Sequence, residues 1–78
     1  MKIEKNDFIE MFAEIFDETD IKELKLETIY RNLDEWSSLH ALATINMMEI
    51  KYNIKISAEE LKQTKTIQDL YELVISKI

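Results

Sequence analysis

Ser38 is the residue of this chain best placed to do chemistry. It stands in the string Leu33-Asp34-Glu35-Trp36-Ser37-Ser38-Leu39-His40-Ala41-Leu42, where a polar, turn-like stretch gives way to an apolar helical run. That position puts its hydroxyl at a helix N-terminus. Unpaired backbone N–H groups and a partial positive charge gather there and favour a bound or covalently attached phosphate. Ser37 can cap the same helix, because a serine hydroxyl accepts from the N–H two or three residues on. An unmodified N-cap or first-turn serine is the plainer alternative for Ser38. His40, the only histidine, lies two residues further on, within reach of such a phosphate or of a partner. A solvent-facing bystander is the simpler reading of it. Trp36 reads most simply as a loop anchor packed on the rest of the fold.

Other chemistry is scarce. The chain has no cysteine, which excludes a disulfide framework, a thiol nucleophile and a cysteine-based zinc site. One histidine cannot make a two-histidine metal site or acid/base pair. The absence of glycine removes every Gly-rich phosphate loop. The acidic stretch Asp17-Glu18-Thr19-Asp20 lacks the central glycine and ligand spacing of a calcium loop, so it reads as a solvated helix end. No catalytic or metal-ligating set can be assembled, and an enzyme is the least expected class.

The elements that position Ser38 follow from periodicity. With neither glycine nor proline in 78 residues, helix is favoured throughout. The first helix is expected from Asn6 or Asp7, either of which could cap it, to Phe16, with Phe8, Ile9, Phe12, Ile15 and Phe16 at helical spacing. A long connection, Ile21 to Trp36, carries too many apolar residues for a disordered linker; it should cross the bundle and contain a short helical turn. The second helix runs from Ser38 to Tyr52, with Leu42, Ile45, Met48 and Tyr52 as its core strip and Asn53 in the left-handed closing position. Leu39, Ala43, Met47 and Ile50 form its outward strip. Ser57 and Glu60 make a capping box for a short third helix to Gln63. Thr66 caps the fourth, whose strip is Ile67, Leu70, Tyr71, Val74, Ile75 and Ile78. The expected fold is all-α: a single-domain (1–78) four-helix bundle of three main helices and a short third, with a long loop after the first.

Charge narrows the partners. Residues 1–35 hold 11 acids against 5 bases and residues 36–78 hold 5 of each, so the net charge of −6 belongs to the first helix and the loop. Nucleic acid and anionic membrane both need basic patches, and neither is expected. No apolar run approaches the roughly 20 residues of a membrane span, and the stretch Met1 to Asp7 lacks a secretory apolar core. A soluble, cytoplasmic monomer is the expectation.

From Ser38 onward the chain resembles acyl carrier proteins in register. In that family a serine-leucine pair opens an apolar-patterned helix ending in an acidic-aromatic stretch; here these are Ser38-Leu39 and the run to Glu49 and Tyr52. A turn residue and a β-branched pair around a polar residue follow, matched by Asn53 and Ile54-Lys55-Ile56. The short acidic helix and the Thr-hydrophobic step are matched by Ser57 to Leu61 and Thr66-Ile67. Trp36 is similar to the Trp-Asp-Ser-Leu variant of some stand-alone carriers.

The resemblance implies phosphopantetheine attached to Ser38, with Ser37 the less favoured attachment point. The chain would then hold acyl thioesters for fatty-acid or specialised, polyketide- or peptide-type biosynthesis. Its implied partners are a phosphopantetheinyl transferase and acyl-transferring, ligase or synthase enzymes. The second helix would meet them through Leu39, Ala43, Met47, Glu49 and Ile50. The family's Asp before the serine is Ser37 here, which brings no carboxylate. The rival expectation is therefore a carrier-fold interaction module that is not phosphopantetheinylated.

Overall fold

The computed structural model describes residues 3–78. Met1 and Lys2, part of the N-terminal stretch read above, lie outside them. Four α-helices occur among the described residues: α1 (Lys5–Ala13), α2 (Ser38–Tyr52), α3 (Ala58–Lys62) and α4 (Ile67–Ser76). Together they form a small all-α bundle, and none is long and apolar enough to cross a membrane.

The first helix differs from expectation at both ends. Glu4 holds the N-cap position without a side-chain cap, so Asn6 and Asp7 lie within the first turn. There the Asp7 carboxylate still complements the helix dipole. The helix stops at Ala13 because Glu14, Ile15 and Phe16 donate to carbonyls three residues back, at 3.1 Å each. That tightening swings the chain toward Glu35 while keeping Phe16 buried.

The long connection contains two 3₁₀ turns, Ile21–Glu23 and Tyr30–Asn32. Leu24 and Tyr30 are buried, whereas Ile21 and Ile29 remain exposed. The loop is tied across the start of α4: Ile67 N–H donates to Thr28 O at 3.1 Å and Gln68 N–H to Leu26 O at 2.9 Å. It is tied to α3 by the buried Tyr30 hydroxyl, which bonds Thr64 Oγ1 at 2.5 Å and Leu61 O at 3.3 Å.

α2 has the expected bounds, and Asn53 has φ 56°, the only positive value among the described residues. Its N–H donates to Glu49 O at 2.9 Å, closing the helix. Asn53→Val should therefore cost about 1–2 kcal/mol, because a β-branched residue pays the full left-handed penalty. Asn53→Gly should cost nothing. Urea unfolding of the two variants checks this, and equal midpoints would contradict it.

The inward face of α2 is rotated from the expected strip. Thr44 and Met48 are fully buried, Ala41, Ile45 and Tyr52 are half-buried, and Leu42 is 63% exposed. Thr44 can replace an apolar residue inside because its hydroxyl donates to His40 O at 2.8 Å. The capping boxes at Ser57/Glu60 and Thr66/Asp69 are both formed, as expected. Ile78, expected in the last strip, lies beyond the end of α4 and is half-exposed.

The core gathers Phe8, Phe12, Met48, Ile67, Leu70 and Val74, all fully buried. Each full burial of this kind stabilises by roughly 1.5–3 kcal/mol. α1 meets α4 through an edge-to-face Phe8–Tyr71 pair at 5.4 Å and α2 through Phe8–Tyr52 at 6.4 Å.

Candidate functional site

Ser38 is the first residue of α2 and is exposed. Ser37 occupies the N-cap position in extended conformation, but its hydroxyl makes no cap bond. It pairs instead with His40 Nδ1 at 2.8 Å. Among the described residues no side-chain acceptor therefore reaches the first-turn N–H groups of α2. At α3 and α4 the side chains of Ser57 and Thr66 occupy such donors. The start of α2 thus keeps both its donors and its partial positive charge for an external anion.

His40 is a built-in part of this corner, not a bystander. Its ring stacks on Phe16 at 5.2 Å and 25°, and its side chain is only 18% exposed. Nε2 lies 3.6 Å from Glu35 Oε2. Trp36 anchors the same corner, edge-on to Tyr30 at 4.8 Å.

Glu35 holds the corner together. Its carboxylate accepts the backbone N–H groups of Asp17 (2.7 Å), Glu18 (3.0 Å) and Thr19 (2.9 Å), and the Thr19 hydroxyl at 2.8 Å. The acidic stretch after α1 is thus a bend folded around a carboxylate that lies 16 to 18 residues away. Burial pushes the Glu35 carboxyl up, but the Thr19 hydroxyl and the three N–H donors outweigh it and hold the pKa at about 2.

A folded pKa below the unfolded value means the stabilisation is complete above the unfolded pKa. It is lost as pH falls from about 4.5 toward 2. Glu35→Gln should flatten this acid limb of stability, followed by thermal melts across that pH range. Glu60, held down first by Lys77, and Asp69, held down by the Thr66 and Lys65 N–H groups, leave part of the limb in place. Parallel wild-type and variant limbs would contradict the assignment.

A groove of about 760 Å³ opens beside Ser37 and Ser38, between α2 and α3. Ala41, Leu42, Ile45 and Leu61 give it apolar walls, and Arg31 and Lys62 also line it. Sequence periodicity did not find it, because it needs the packing of α3 on α2 and the rotation that turns Leu42 outward.

The expected partner residues divide into two groups. Leu39 (76% exposed), Ile50 (70%) and Glu49 lie open on α2, whereas Ala43 and Met47 are half-buried, with Met47 packed against the core. The exposed apolar face of α2 is therefore Leu39, Leu42 and Ile50, with Leu42 in the place expected for Met47. Among known proteins, no family model, curated protein or solved structure matches the chain.

Proposed function

We propose that this chain is an acyl carrier protein, modified at Ser38 by phosphopantetheine from coenzyme A. The observation that carries the reading is the exposed Ser38 at an uncapped helix start, beside an apolar groove. The residues present fit the group: the alcohol is open to a modifying enzyme, and the first-turn N–H groups can steady a phosphodiester. Such steadying is worth roughly 0.3–1 kcal/mol at an exposed site. When bound, the arm supplies a terminal thiol that holds acyl groups as thioesters, a chemistry this cysteine-free chain does not itself contain.

The chain's own residues position and present. Glu35, Trp36 and His40 fix the corner from which Ser38 projects, and Leu39, Leu42 and Ile50 offer an apolar face to partner enzymes. With Glu49 and Lys51 its only charged residues, α2 fits weak, shape-driven docking better than electrostatic capture. The test is the intact mass after incubation with coenzyme A and a broad-specificity phosphopantetheinyl transferase. A gain of one phosphopantetheine supports the carrier, and an unchanged mass supports the unmodified interaction module. One observation favours that second reading: Ser37 supplies no carboxylate at the family's Asp position, and its hydroxyl is engaged by His40.

A further inference from the structure

The open face of α2 runs without a break into the wall of the neighbouring groove. Leu39, Leu42, Asn46 and Ile50 are all exposed and recur every three or four residues, so they form one stripe along the helix. At 1.5 Å of rise per residue the stripe is roughly 16 Å long, about three helical turns. Leu42 belongs to both surfaces, with Ala41, Ile45 and Leu61 behind it in the groove. A mainly apolar strip of that length fits a helix laid along it better than a compact small molecule.

The charge beside this strip is opposite to that of the chain. The net charge is −6, yet the charged residues lining the groove are Arg31, from the long loop, and Lys62, from α3. Among the described residues neither is paired with a carboxylate; the ion pairs there are His40–Glu35 and Lys77–Glu60. Arg31 is held in place, since its Nη2 donates to Leu61 O at 2.5 Å, and Lys62 is exposed. Glu35 is turned into the bend at Asp17–Thr19, and Glu60 toward Lys77 and the Ser57 N–H. Glu49, the only acid of α2, lies near its far end and does not line the groove.

We infer that this surface docks an amphipathic helix of a partner enzyme whose polar face carries carboxylates. Its apolar side chains cover Leu39, Leu42 and Ile50, and its acids meet Arg31 and Lys62. The net charge alone calls for the reverse, a basic partner. Local charge prevails because charges more than about 8 Å apart are largely screened at ~0.15 M salt, and the molecule measures 30 × 24 × 20 Å. α2 itself brings almost no charge, so its own contact stays shape-driven while the flanking cations select the partner. The inference rests on the carrier reading for the partner being an enzyme, but not for the partner's charge.

The test uses two synthetic helical peptides with leucines at the same i, i+3, i+4 and i+7 positions, one with glutamates and one with lysines on the polar face. Each is titrated at ~0.15 M salt into the isotope-labelled full chain, and affinity is read from amide shifts at Leu39, Leu42 and Leu61. The glutamate peptide should bind roughly fivefold tighter, the size expected of two partly exposed ion pairs. Lys62→Glu, a change at an exposed side chain with no hydrogen bond among the described residues, should remove that preference while circular dichroism shows the same helix content.

A lysine peptide that binds as tightly or more tightly overturns the inference. So does a failure of both peptides to shift these amides, or a preference that survives Lys62→Glu. None of these measurements involves the arm, so the mass gain at Ser38 stands or falls separately.

Discussion

Ser38→Ala should abolish the gain of one phosphopantetheine completely, while Ser37→Ala should keep it. The effect is all-or-none because the substitution removes the accepting oxygen, not an aid to its reactivity. The bond to phosphorus has one other candidate within the motif, and Ser37 is tied to His40 at 2.8 Å. Misfolding is no competing cause, since Ser38 is exposed and its hydroxyl makes no hydrogen bond among the described residues. Surface changes of this kind alter stability by about 0.5 kcal/mol or less. Intact-mass spectrometry of wild type and both variants decides the matter. A mass gain on Ser38→Ala that disappears in Ser37→Ala would move the attachment point by one residue.

Phe12→Ala should be the most damaging single change to the fold. Phe12 is fully buried and touches three other aromatic rings: Phe16 at 5.2 Å and Tyr30 at 5.6 Å, both edge-on, and Trp36 at 6.5 Å. Emptying such a site costs about 3–5 kcal/mol. Lost aromatic pairing adds roughly 0.5–1.5 kcal/mol per contact of this kind. A domain below about 80 residues rarely has more than a few kcal/mol to lose, so the variant should be largely unfolded at room temperature. Urea titration by circular dichroism should show a cooperative transition for wild type and little or none for Phe12→Ala. A variant with the wild-type midpoint would show that Phe12 is not the centre of the core. Because Phe12 joins α1 to the Ser38 corner through Trp36, the variant should also take the phosphopantetheine arm poorly.

The parts of the fold legible in the sequence were those set by local chemistry. Ser57 with Glu60 and Thr66 with Asp69 satisfy helix-start N–H groups within four residues, and both boxes form. Asn53 closes α2 because it tolerates positive φ better than other non-glycine residues, again a local property. Ser38 at the start of α2 was legible for the same reason.

What escaped depended on distant partners. The bend at Asp17–Thr19 is set by Glu35, whose carboxylate lies 16 to 18 residues further on, and no spacing rule links the two. The facing of Leu42 depended on a hydroxyl-to-carbonyl bond that lets Thr44 turn inward. The groove was invisible because it belongs to no single helix. The packing of His40 is not legible locally, because its stacking partner, Phe16, lies in another element.

The chain contains one tryptophan, and Trp36 stands two residues before Ser38, edge-on to Tyr30 and bordering the groove. A single indole therefore stands at the junction between the ordered interior and the proposed tether. Its emission therefore reports on the integrity of the aromatic nest and on whatever settles against it, with no dye to attach.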